Sequence, residues 1–168
     1  EPVLDRAGHT PLIAIHRWDP AHEARILDRF LQRRVDGIIG VPLPGGVRIY
    51  ENLRRRGIPL LFLSDTLDET PWADYVAWDS AAATQVALRH LLDIGRRRIA
   101  LLHQNWASRL SGRIRIEAFH AELRTANIKH RPEWTMSVSS DAEVENMIRR
   151  IFVDAPPAER PNAIYANN

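Results

Sequence analysis

At 168 residues, 45% hydrophobic and 26% charged, the chain is long enough to bury a core without covalent staples. With no cysteine it has no disulfide scaffold, Cys-ligated zinc, iron–sulfur cluster or thiol nucleophile. No apolar run approaches the roughly 18 residues of a membrane span, and EPVLDRAGHT lacks the basic and apolar regions of a signal peptide, so neither a membrane protein nor a precursor is expected.

A formal net charge of +2 is too small to steer a polyanion, and the pI of about 9.5 overstates the basicity: the 23 basic residues include a single lysine, Lys129, and arginine keeps its proton. The first predicted element is a strand, Pro11 to Arg17, a short apolar run with little helical character. From Ala21 to Arg34 the period changes. Ile26, Leu27, Phe30 and Leu31 form one stripe, with Glu23, Arg25, Asp28 and Arg33 assigned to the other face of an amphipathic helix. Gly37 turns the chain into Ile38 to Val41, a β-branched run closed by Pro42 and expected as a strand buried on both faces. A helix over Val47 to Arg56, ended by Gly57 and Pro59, leads to the strand IPLLFLS. A turn-rich loop from Asp65 to Ala73, a short strand DYVAW and a helix capped by Asp79 and Ser80 follow, with Val86, Ala87, Leu91 and Ile94 as apolar positions of that helix. Gly95 ends it, and Ile99 to His103 returns to strand. A helix from about Gly112 to Ala126, a strand near Trp134 to Val138, a helix from Asp141 to Phe152 and a last strand AIYA complete the order. Strands alternating with helices of this length predict an α/β fold of βαβ units, with parallel sheets and helices on both faces.

None of the usual nucleotide or catalytic signatures accompanies this frame: there is no G-x-G-x-x-G after the first strand, no G-x-x-x-x-G-K-[ST], no H-E-x-x-H and no G-x-S-x-G. Gly45-Gly46 at a helix start reads as a tight turn in preference to a phosphate cradle. His16 and His22 lack metal-site spacing, and His90, beside a core stripe, reads as a packing histidine. Arg54–Arg56 and Arg96–Arg98 stand at helix ends, where cations suit the dipole, so the arginine content reads as codon usage and helix-end chemistry ahead of a nucleic-acid surface. Ligands of open α/β sheets bind beyond the carboxyl ends of the strands. That rule selects Ser64 and Asp65, Trp78 and Asp79, Gln104, Asn105 and Trp106, and Asn167 and Asn168. Carboxylate, amide, hydroxyl and indole groups suit a polyhydroxylated ligand, with a solvated loop rim as the alternative. Arg113 and Arg115, placed by the pattern in the first turns of a helix, oppose its dipole, and a placement that costs stability points to a ligand.

In chain order, RRVDGIIGVP, RGIPLLFLSD, DYVAWDSAAATQVALRHLLDIGRRRIALLH, SGRIRIEAFHAELRTANI and PNAIYANN resemble the effector-binding core of LacI/GalR-type bacterial transcription regulators, from about Gly8 to the last residue. The resemblance implies two Rossmann-like lobes with parallel sheets, periplasmic-binding-protein-like and incomplete at both ends: an N-terminal lobe over 1–78 without its first strand, and part of a C-terminal lobe over 79–168. It implies effector contacts at Ser64 or Asp65, Ser111, Arg115 and Asn168, with Asp79 near the crossover and Arg113 as the runner-up arginine. It implies no catalytic residue, metal or cofactor. The expected partners are a small-molecule effector of the carbohydrate class, operator DNA read through a helix-turn-helix absent from this chain, and a second copy in a homodimer. Any surviving dimer surface is expected on the helix faces of Ile49 and Leu53 or of Ile26 and Phe30. The implied location is cytoplasmic, with no membrane partner. Periplasmic sugar-binding proteins share the fold and stand as the alternative, distinguished by a signal peptide in place of a helix-turn-helix upstream.

Overall fold

Asp19 accepts hydrogen bonds from the amides of Ala21 (2.8 Å) and His22 (3.2 Å), two of the donors that a helix start leaves open, and Pro20 presets the first turn. The His22 amide foremost holds the Asp19 carboxyl below its usual range. The helix so opened, α2 (Pro20–Gln32), follows a short α1 (Pro2–Arg6) in the computed structural model, which describes residues 2–64, 70–104 and 110–167. It leads into β1 (Ile38–Gly40), and α3 (Val47–Arg55) leads through Gly57 into β2 (Leu60–Leu63), followed by β3 (Asp74–Val76). These strands form a parallel sheet in the order β1-β2-β3, with Ile38 opposite Leu60 and Phe62 opposite Tyr75. The remaining elements are α4 (Ser80–Asp93), β4 (Ile99–Gln104), α5 (Leu110–Thr125), β5 (Thr135–Val138), α6 (Asp141–Ile148) and β6 (Ala163–Asn167). They build a second parallel sheet, ordered β5-β4-β6.

Period-2 alternation along the central strand β4 divides the second core. Ile99 and Leu101 meet Leu88 of α4 and Phe119 and Leu123 of α5, while Ala100 meets Trp134, Met136 and Ile151 on the opposite face. Helices therefore cover both faces of this sheet, as all-parallel strands require. In the first sheet Leu27 of α2 and Tyr50 and Leu53 of α3 pack on Ile38, Leu60 and Phe62. The other face is open: Ile39 is 60% exposed, and Leu63 and Val76 are exposed beside it. The expectation that β1 is buried on both faces is thus corrected, because no described element covers its outer side.

Other expectations are corrected by packing. Pro11 to Arg17 forms no strand, and Ile13 in it is 87% exposed. Extended propensity yields a strand only with a ladder partner, and among the described residues β1 pairs with β2 alone. Positive φ at Arg17 (53°) and Trp18 (61°) then ends the extended run. Glu23, assigned to the solvent side of α2, is buried, where it accepts from the Leu43 amide (3.1 Å) and the Tyr50 hydroxyl. Along α4 the buried stripe is Ser80, Thr84 and Leu88, whereas Val86 is 69% exposed and Ile94 and His90 are also exposed. Thr84 can be buried because its hydroxyl bonds Ser80 O and Tyr165 Oη, each at 2.8 Å. Leu53 is fully buried, while Ile26, Phe30 and Ile49 are half-buried, the last two against the same core as Leu53. The α-helical geometry of α6 stops at Ile148 and continues as a π-helical turn over Arg149–Asp154, and the fifth strand starts after a 3-10 turn, Pro132–Trp134.

Candidate functional site

The carboxyl ends of the second sheet lie side by side: His103 of β4 pairs with Ser137 of β5 and Asn167 of β6. Above this rim stand the first turn of α4 and the second turn of α5. Arg115 projects from α5 into the corner, donating from Nε to Ser80 Oγ (3.2 Å) and from Nη1 to Asn167 Oδ1 (2.7 Å). Ser80 and Asn167 are both buried, and Arg115 is half-buried. A guanidinium held by two buried polar groups at the strand ends is a rigid fork for vicinal hydroxyls or a carboxylate.

Of the expected set, Arg115 is tied into this cluster by direct bonds to Ser80 and Asn167. Ser111 and Arg113 sit in the first turn of α5, both half-buried. Asp79 is the N-cap of α4 and accepts from the Ala82 amide (2.9 Å), so its carboxylate has a structural duty. Ser64 ends β2 in the left-handed region (φ 67°) and donates its amide to Val76 O (2.8 Å); it belongs to the first sheet. Asp65 and Asn168 lie outside the described residues, as do Asn105 and Trp106. The helix-start argument for Arg115 is corrected, since α5 begins at Leu110 and places Arg115 in the second turn.

Asn167 stands among the strand-end candidates and Ser80 reads as cap chemistry; neither is among the contacts that the resemblance implies, although each left a signal. Asn167 alternates with Ala163 and Tyr165, and Tyr165 stacks on Phe119 beneath α5, so period 2 points Asn167 to the same face. Ser80 stands four residues before Thr84 and eight before Leu88, the spacing of the buried stripe.

Two further features lie away from this rim. An apolar cavity lined by His16, Leu27, Phe30, Ile38, Tyr50 and Phe62 adjoins the free edge of β1 and contains none of the clustered polar groups, so it reflects incomplete cover of the first sheet. His120 and His130 meet edge to face at 5.2 Å between α5 and β5, and burial foremost lowers both imidazole pKa values. Among the described residues no group of three or more His, Asp or Glu has metal-site geometry.

A family profile described as periplasmic binding proteins and sugar-binding domain of the LacI family matches residues 8–168. The HTH-type transcriptional regulator MalR of Streptomyces coelicolor is 31% identical over 104 residues, which is 59% of this chain and 30% of that protein. Among solved structures, the transcription regulator GntR from Chromobacterium violaceum superposes with a TM-score of 0.78 at 25% identity, covering 100% of this chain and 60% of that one. A LacI family transcriptional regulator from Lactobacillus casei with bound sucrose gives 0.73 at 21% identity over 100% of this chain and 61% of that chain, a likeness of fold. The chain thus spans about a third of MalR and about three-fifths of these solved relatives. Parallel strand order, strand-end polar cluster and profile match agree: the chain belongs to the family of periplasmic binding proteins and LacI-type sugar-binding domains.

Proposed function

We propose that this chain is the effector-sensing part of a cytoplasmic, non-catalytic, DNA-binding regulator, and that its effector is a sugar or a related polyhydroxylated molecule. The observation that carries this reading is Arg115 fixed between buried Ser80 and Asn167 at the carboxyl ends of a parallel sheet. Sucrose bound in the Lactobacillus casei relative and the likeness to MalR, an HTH-type transcriptional regulator, support the ligand class and the role. In this reading residues 1–78 belong to one lobe and 79–168 to the other, with Ser64, Asp65 and Asp79 facing the effector from the first lobe and the crossover. Ser111, Arg113, Arg115 and Asn168 face it from the second. Effector binding shifts the equilibrium between lobe arrangements and so changes operator affinity, which requires different affinities for the two states. The intact regulator is a homodimer, because a helix-turn-helix reader needs two half-sites related by two-fold symmetry. A thermal-shift screen of sugars, sugar phosphates and sugar acids on the intact regulator tests the reading. A ligand at 100 times its dissociation constant adds about 2.7 kcal/mol, and the same compound is expected to change operator affinity; a screen without any stabilising sugar would count against it.

A further inference from the structure

The arginines of the two sheets are used differently. In each sheet the helices run into parallel strands, so helix carboxyl ends gather at the pole opposite the strand ends. Around the second sheet Arg97 Nη1 donates to Leu92 O (2.6 Å), Arg98 Nε to Arg160 O (2.7 Å), and Arg160 to Ala155 O (2.8 Å) and Val153 O (2.7 Å). These guanidinium groups tie turns together. At the first sheet Arg33 and Arg34 end α2, and Arg54, Arg55 and Arg56 end α3, all of them exposed. Arg54 lies over the Trp72 ring (4.9 Å) and Arg56 Nε reaches Asn52 Oδ1 (3.3 Å). The side chains of Arg33, Arg34 and Arg55 make no hydrogen bond or ion pair with any described residue.

These ends lie at one pole. Both helices pack on the same face of the sheet and enter neighbouring strands, whose starts are tied by the Ile38 amide donating to Pro59 O at 2.9 Å. The carboxylates on the elements that meet there are Asp28, Asp36, Glu51 and Asp74, against Arg33, Arg34, Arg54, Arg55 and Arg56; Asp36 already faces His9 Nδ1 at 3.7 Å and Asp28 accepts from Gln32 Nε2 at 2.9 Å. Arg34 holds the left-handed position that ends α2 (φ 54°), a place that glycine takes at Gly57 and Gly95 with less strain. Locally strained residues of this kind concentrate at functional surfaces.

We propose that this pole contacts the phosphate backbone of duplex DNA flanking the operator, with Arg33, Arg34 and Arg55 as the principal donors. The proposal rests on the regulator reading above. Guanidinium forks match phosphate oxygens and release bound counterions on contact. The His9–Asp36 approach sets the segment after α1 against the same pole. The contact is indifferent to base sequence; it adds affinity and leaves specificity to the reading module.

The test measures operator affinity of the intact regulator across a salt series, roughly 50 to 200 mM, for the wild type, for Arg33→Gln/Arg34→Gln/Arg55→Gln, and for Arg96→Gln/Arg124→Gln/Arg150→Gln. The last variant removes equal charge from exposed positions around the second sheet. The slope of log K against log salt is expected to become shallower by about one unit per lost phosphate contact in the first variant only. Weaker binding of a mutated operator should follow in parallel, since these contacts do not read bases. An unchanged slope would assign the pole to solvent or to an acidic protein and overturn the proposal, as would an equal loss in the second variant. Thermal shift by the effector, read on the same proteins, depends on Arg115 and not on this pole, so the sensing reading survives such a result. A wild-type regulator that binds no duplex would overturn both.

Discussion

Arg115 is fixed before any ligand arrives, because the groups that hold it are themselves buried. Its removal is therefore costlier than loss of a cation from a helix start. Arg115→Ala strips a donor from the Ser80 hydroxyl and the Asn167 amide oxygen and is expected to destabilise the fold by about 1–3 kcal/mol, read as a lower denaturation midpoint; an unchanged midpoint would show that the corner is wet and the two bonds weak. Gly46→Ala tests a second tight corner: a Cβ there meets Glu23 Oε2 at 2.9 Å and Tyr50 Cε2 at 3.0 Å. Because hydrogen bonds hold that carboxylate, a destabilisation of about 1–3 kcal/mol is expected from overpacking, and a neutral result would mean that Glu23 moves freely. At this scale the sequence was half legible. Arg115 stood out through resemblance, and the dipole argument for it fails with the helix start two residues earlier; Asn167 was readable from strand alternation. The burial of Glu23 was not, since a carboxylate on an amphipathic helix reads as solvent-facing until a partner such as Tyr50, 27 positions on, is known.

From α2 onward element order and type were legible because the period switches between 2 and 3.6 along the chain and Gly57 and Gly95 mark helix ends with positive φ, whereas α1 was not legible and Pro11 to Arg17 reads as a strand that it does not form. Cover and partnership were not, since they depend on residues far along the chain. Ile39 looks like any core strand residue, yet only its neighbours decide its exposure, and Val86 fits an apolar count on α4 while Thr84 takes the buried place. The junction of α5 with β5 carries a pH dependence. Burial foremost, then Arg124, lowers the His120 pKa; burial foremost, then His120, lowers that of His130, with Glu133 opposing. Both folded values lie under the ordinary 6.5, so the unfolded chain takes up protons first and stability is complete above that value. Stability is expected to fall as pH drops below 6.5 towards the folded values. His130→Gln, which can keep the bond to Thr135 Oγ1 (2.8 Å) without titrating, should flatten the melting-temperature profile in that window; an equally steep profile would place the titration elsewhere.

For the whole molecule, the open face of the first sheet and the edge of β1 that no described strand pairs set how this chain behaves in isolation. Ile13, Ile39 and Val76 expose apolar surface, and among the described residues β1 pairs with β2 alone, a template for association. The 168-residue chain is expected to self-associate in sedimentation at micromolar concentration, and Ile13→Lys/Ile39→Lys to reduce it; a wild-type monomer would show that the face is adequately solvated. With a net charge of +2, the chain alone is expected to bind duplex DNA only weakly even with its arginine pole, because a few phosphate contacts do not make tight binding. The sensing role is most directly tested by calorimetric titration of the best sugar from the screen into the intact regulator and its Arg115→Ala variant, at a temperature where both are folded. Saturable binding by the wild type and loss of at least roughly tenfold in affinity for the variant, about 1.4 kcal/mol, is the expected result. Equal dissociation constants for the two proteins would contradict it and remove Arg115 from the effector site.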